Sequence, residues 1–292
     1  MSTFELRKPR DFGQIITDTF TYLRVHFKSL GKALFIFVFP IVLISGVLIS
    51  SSFMTIFDIA DPLAAQQPVA SEFSGEMISF FIKFFVGMIL FMINFLLIYV
   101  VVFKHMQLVD DGVEDIEIGM LLEDFARNFF GTLGLFFVIS IATMIGFLFL
   151  IIPGIYIATK LSLAPVIFIA EEESFGDALS KSWEATQDYW WFTFGMSFVM
   201  GIIMNFASYI FIIPMYILIG IVSFTTASSQ GDPSSLGTII SVMYGLSIVV
   251  PALLYCMPVT SQALVYFNIQ ERKTGSSMMD RIESLGEQNT PS

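Results

Sequence analysis

The amino-acid sequence predicts an all-α integral membrane protein: six transmembrane helices arranged as three hairpins, each preceded by a cytoplasmic amphipathic interfacial helix. Three observations carry this expectation. The composition lies outside the soluble range, the apolar stretches have spanning length, and Lys and Arg are confined to one set of intervening segments. Of 292 residues, 55% are hydrophobic and 13% charged, with a mean hydropathy of +0.80, whereas soluble domains carry about 25% charged residues. A net charge of −11 disfavours nucleic acid as a partner and leaves membrane lipids as the expected surroundings.

Residues 1–30 are charged and amphipathic rather than a short basic segment before an apolar core, so no cleaved signal peptide is expected. A span needs about 20 largely apolar residues. Gly31 to Phe57 and Met77 to Phe103 meet this directly. Phe129 to Ala170 is long enough for two spans joined by a turn at Pro153-Gly154. Trp190 to Thr225, with Pro214, and Leu236 to Phe267, with Pro251 and Pro258, each exceed one straight span and should kink or tilt. A single cysteine, Cys256, excludes an intrachain disulfide and reads as packing.

Basic residues near span ends set orientation. Arg7, Lys8, Arg10, Arg24, Lys28 and Lys32 precede the first span, Lys104 and Arg127 follow the second, Lys181 follows the fourth, and Arg272, Lys273 and Arg281 follow the sixth. The opposite segments, residues 58–76, the Pro153-Gly154 turn and residues 226–235, contain no Lys or Arg. Both termini are therefore expected in the cytoplasm.

Three cytoplasmic segments read alike: DFGQIITDTF from Asp11, EIGMLLEDFA from Glu117 and SFGDALSKSW from Ser174. In the first, Phe12, Ile15, Ile16, Phe20, Leu23, Phe27 and Leu30 recur at helical spacing, as do Phe175, Ala178, Leu179, Ser182 and Trp183 in the third. Asp11 with Gln14 and Ser174 with Asp177 have capping-box spacing. The chain thus divides into repeat units of about 11–103, 117–170 and 174–268 within a single membrane domain, residues 1–273, followed by a polar tail, 274–292, expected to be disordered. The repeats all start on the cytoplasmic side, unlike inverted transporter repeats.

An ionisable group inside a span is a functional candidate by default, whereas a deep amide more commonly hydrogen-bonds between helices. Lys160 lies about seven residues, or about 10 Å of helix, from the turn at Pro153. It either meets a head group or substrate, or points into the bundle and bonds backbone carbonyls, or snorkels outward. Lys83, close to a span start, should snorkel. Asn94 and Asn205 are the other deep polar groups. Phe12, Phe20, Phe175, Trp183, Trp190 and Trp191 fit interfacial anchors. Gly237, Ser241 and Gly245, and likewise Ala142 and Gly146, form small-residue stripes suited to close helix packing. The acidic loop 110–124 lacks the ligand spacing of an EF-hand, and neither catalytic motifs nor a buried proton relay is present, with only His26 and His105 as histidines. No metal, cofactor or catalytic residue is expected.

The order Pro153, Gly154, Tyr156, Lys160, Ala164, Pro165, Glu172, Ala178, Leu179, Ser182, Trp183 resembles the membrane-domain family of bacterial glycerophosphodiester phosphodiesterases and its stand-alone six-span relatives, the YciC-like membrane proteins. LVYFNIQERKTG at 264–275 resembles the close of the last span in the same family. The resemblance implies a six-span fold in the cytoplasmic (inner) membrane of a bacterium. No hydrolase domain is expected after Lys273, so phosphodiesterase activity does not carry over. The expectation is a non-enzymatic membrane-organising or partner-binding protein, with membrane lipids and a membrane-protein partner as its contacts. The alternative is a transporter or flippase-like protein for a lipid or amphiphilic solute.

Overall fold

A computed structural model describes residues 4–60, 70–113, 115–123, 125–228 and 233–275. The described residues form helices and no strand. Five helical segments are long and apolar enough to cross a membrane: Gly75–Asp110, Arg127–Phe149, Ile151–Ala170, Trp190–Val222 and Val242–Thr274. A bent pair, Phe27–Phe37 with Phe39–Thr55, makes up to six if counted as one span. The expected tail from residue 276 onward, and the loop residues 61–69 and 229–232, lie outside the described residues.

In the N-terminal part, α1 (Phe12–Val25), α2 (Phe27–Phe37) and α3 (Phe39–Ala60) follow one another with little break. The capping box at the head of α1 forms as its spacing predicts: Asp11 accepts from the Gln14 N–H, and the Gln14 side chain accepts from the Asp11 N–H. Pro40 explains the 43° bend between α2 and α3. It has no N–H to donate and crowds the carbonyl four residues earlier, which interrupts the helical ladder.

Next come α4 (Ala70–Asp110), α5 (Ile118–Leu122) and α6 (Phe125–Phe149). The second of the three similar segments, expected to carry an interfacial helix, forms only α5, five residues long, and its N-cap Glu117 makes no side-chain capping bond. The chain then forms α7 (Ile151–Leu161), α8 (Ala164–Ala170) and α9 (Phe175–Ala185). The turn expected at Pro153-Gly154 lies instead at Leu150, whose φ of −169° and ψ of 163° are extended. Pro153 and Gly154 sit in the first turn of α7, where a missing N–H costs nothing because the first helical donors have no intrahelical partner.

The remaining helices are α10 (Trp190–Ser228), α11 (Pro233–Leu254) and α12 (Cys256–Thr274). With Pro214 inside it, α10 still runs for 39 residues as one helix. The described residues fall into two compact units: one within Met1–Ala33, Ile98–Ile202 and Cys256–Ser292, the other within Leu34–Leu97 and Ile203–Tyr255.

In the first unit α6 packs on α7, α8 on α6 and α9, and α1 on α12. The α6–α7 hairpin is tight because a Cβ on Gly146 would stand 2.9 Å from Gly154 Cα, and one on Gly154 would strike the Phe147 ring at 2.5 Å. In the second unit α3 crosses α11. There a Cβ on Gly46 would stand 3.1 Å from the Gly245 carbonyl oxygen, and one on Gly245 would stand 3.2 Å from the Gly46 oxygen. Of the stripe predicted on the last span, Gly245 is at this crossing. The surroundings of Gly237 and the side chain of Ser241 lie outside what is described.

Candidate functional site

Pro165, in the first turn of α8, cannot donate to the helix before it, and α7 therefore stops at Leu161. That break frees carbonyls near Lys160, and α9 supplies their donors. Ser182 Oγ donates to the Lys160 carbonyl at 2.8 Å, and Thr186 Oγ1 donates to the same oxygen at 3.3 Å. In return Lys160 Nζ donates to the Trp183 carbonyl at 3.2 Å. The ammonium also lies 5.4 Å from the Trp183 ring centroid and 5.7 Å from that of Tyr156, within cation–π range. Trp190 closes the cluster: it stacks on Tyr156 at 5.6 Å, and its Nε1 donates to the Tyr156 carbonyl at 3.4 Å.

Lys160, only 2% exposed, therefore has a backbone acceptor and two ring faces and, among the described residues, no carboxylate at its head group. The structure brings together Tyr156, Lys160, Ser182 and Trp183, all members of the sequence pattern that carried the family resemblance, and joins them to Trp190.

The acidic stretch that follows α8 is paired residue by residue. Glu171 accepts from Tyr266 Oη at 2.6 Å and from Lys181 Nζ at 2.5 Å, and Glu173 accepts from Lys181 at 2.6 Å. The bonds from Glu171 and then Glu173 hold the Lys181 ammonium well above its ordinary pKa. Glu172 faces Arg127, which donates to its carbonyl at 2.8 Å. Its backbone has a φ of 52°, in the left-handed region that disfavours a residue with a Cβ.

At the other end of the sequence Arg10 is fully buried. Its guanidinium donates to the carbonyls of Leu6, Lys8 and Glu5 and to the Asp18 carboxylate. Burial lowers its pKa, and Asp18 opposes that shift. For Asp18 burial acts to raise the carboxyl, but the bonds from Lys8 and Arg10 outweigh it and the pKa falls. The Arg10 N–H donates to Asn268 Oδ1 at 2.7 Å, and Arg272 donates to the Arg10 carbonyl at 2.6 Å. Arg7 forks onto Asp110 through Nε and Nη2, which raises its pKa.

The predicted anchors separate into two groups. Phe12, Phe175 and Trp190 are half-buried, with Phe12 edge-on to Phe192 at 5.9 Å and Phe175 beside Gly134. Phe20, Trp183 and Trp191 are exposed, Trp191 at 77%. The buried stripe of α1 is Ile15, Thr19 and Tyr22, rotated from the one expected, so Phe20 and Phe27 face outward. Asn94 and Asn205 belong to the second unit. Asn94 is 0% exposed, and neither amide atom has a hydrogen-bond partner among the described residues. Asn205 is exposed on α10, within the span Trp190–Val222. Lys83 Nζ reaches Thr55 Oγ1 at 3.4 Å.

Sequence reasoning left His26 and His105 apart. The structure places their rings 5.2 Å from each other. Tyr22 Oη lies 2.6 Å from His105 Nδ1, and Ser29 Oγ lies 2.9 Å from His105 Nε2. Burial lowers the His26 pKa and raises that of Tyr22 well above its ordinary value. His26 also lines a cleft of about 960 Å³ in the first unit, between the start of α2 and the segment leading into α5. A smaller, almost wholly apolar cavity of about 250 Å³ in the second unit lies along α3 and α11. Lys160, Asn94 and Asn205 line neither.

Among the described residues no group of three or more His, Cys, Asp or Glu side chains could hold a metal ion. No protein-family model, curated protein or solved structure matches the chain.

Proposed function

We propose that the chain is a non-enzymatic, multi-pass protein of a bacterial cytoplasmic membrane that organises the membrane or binds a membrane-protein partner. In this reading both termini are cytoplasmic, six spans form three hairpins, and α1 and α9 are amphipathic helices in the cytoplasmic interface. The observation that carries it is the use made of polar groups in the first unit: Lys160, Arg10, Arg7, Lys181 and the three consecutive glutamates hold helices to one another. Beside them, apolar Phe20, Phe27, Trp183 and Trp191 stand outward, as required of anchors in the head-group layer. The resemblance to the phosphodiesterase membrane domains accords with a membrane role separate from hydrolysis. Purification of the full chain in mild detergent should return one membrane protein reproducibly. Recovery of the chain alone in every preparation argues against the reading.

The alternative is transport of a lipid or amphiphile, for which Asn94, a fully buried amide with no hydrogen-bond partner among the described residues, is the candidate contact. Native mass spectrometry of wild type and Asn94→Leu distinguishes the two. Loss of a bound lipid on substitution supports transport.

A further inference from the structure

The cleft of about 960 Å³ carries four charged side chains that take no part in the bonds holding the first unit together, and these charges are arranged by sign. Lys28 and Lys32 lie one turn apart on α2 and form one wall. Asp115 and Glu117, on the segment between α4 and α5, form another. All four side chains are exposed, and none makes a hydrogen bond or ion pair with another described residue. Phe4 and Val25 add apolar surface between them, and α2 opens the first candidate span.

A simple anion in this cleft would gain from two ammonium groups and be repelled by two carboxylates, and a simple cation would meet the reverse. A ligand that carries both charges a few bonds apart satisfies both walls at once. Volumes of this order accept a ligand of drug size, so there is room for a head group with part of its glycerol and chains.

We infer that the cleft binds a zwitterionic phosphate ester of the phosphoethanolamine class, its phosphate on Lys28 and Lys32 and its ammonium on Asp115 and Glu117. The inference does not depend on the partner-binding reading, and either can fail alone.

The test uses the full chain in mixed micelles with equimolar phosphatidylethanolamine and phosphatidylglycerol, followed by native mass spectrometry. Wild type should retain phosphatidylethanolamine in preference to phosphatidylglycerol. D115N/E117Q should lose that preference by roughly tenfold, the scale of one or two charge-assisted hydrogen bonds, and K28Q/K32Q, which removes the partners of the phosphate that both lipids carry, should lower retention of both by a similar factor. Thermal unfolding of both variants should match wild type, because the four side chains hold no other element. Equal or greater retention of phosphatidylglycerol overturns the inference, as does a carboxylate variant that keeps the wild-type preference. A second arm adds free phosphoethanolamine. If it displaces the lipid the cleft recognises the head group alone. If it does not, the occupant is the intact membrane lipid.

Discussion

Ser182 donates its hydroxyl to the carbonyl of Lys160 across 2.8 Å, in a fully buried setting. The same lysine returns a bond from its ammonium to Trp183, the next residue of α9. Two residues separated by 22 positions thus staple the broken α7–α8 segment to the following helix.

The first prediction concerns that staple. Ser182→Ala leaves a buried carbonyl with only the longer Thr186 bond, and should lower stability by ~1–2 kcal/mol, read as a fall in detergent unfolding temperature. Lys160→Met keeps the volume and removes a buried charge, so it should change stability by less than ~1.5 kcal/mol and leave co-purified lipid unchanged. Lys160→Ala opens a void and should cost ~2–4 kcal/mol. If Met and Ala both strip lipid from the protein, Lys160 is a ligand contact and not a staple.

The helix crossing of the second unit supplies another. Gly245→Val places a branched side chain where the Gly46 carbonyl already stands 3.2 Å from the first added carbon, and should destabilise by ~1–3 kcal/mol through overpacking. Gly201→Ala is the control, because nothing lies within 4 Å of a Cβ at that position. Equal unfolding temperatures for the two variants would sink the assignment.

Glu172 makes a prediction of opposite sign. Its φ of 52° is freely adopted by glycine, and its exposed carboxylate lies 3.7 Å from Arg127, a surface pair worth little. Glu172→Gly should therefore be neutral or stabilising by up to ~1 kcal/mol, since Arg127 keeps its bond to the backbone carbonyl. Glu172→Val, β-branched at the same φ, should lower the unfolding temperature.

His26 predicts a pH dependence. Its folded pKa lies below the ordinary 6.5 because it is buried, so in the window just below 6.5 the unfolded chain binds the proton more readily than the folded one. Stability therefore rises with pH there and is lost as pH falls from 7 toward 5. The loss should be smaller in His26→Gln, measured as the unfolding temperature at pH 7 and pH 5. An identical slope in the variant would remove His26 as the source.

The sequence made the helices legible because bilayer-length apolar runs and capping pairs such as Asp11 with Gln14 are local properties. Pro153 misled the placement of one turn, since proline marks both a helix stop and a helix first turn, and only packing at Gly146 and Gly154 decides between them. The α1 face was misread because periodicity counts apolar letters, whereas Tyr22 turns inward to meet His105, a partner 83 positions away. The contact of Lys160 with α9 was invisible for the same reason. The residue types and their order were readable, but which lone cation is spent on a backbone carbonyl is a matter of tertiary geometry.

The clasp at Arg10 bears on how the chain is made. Its backbone N–H and carbonyl are held by Asn268 and Arg272, and the first of these bonds spans 258 positions. At roughly 5–20 residues per second of synthesis, the first helix waits on the order of ten seconds or more for the residues that seat it. Until then Arg10 has local carbonyls and Asp18 but no docking site on α12. Completion of the last helix is thus the event that secures the first, and a nascent chain stalled before Asn268 should expose the segment ahead of α1 to added protease, while the released chain protects it.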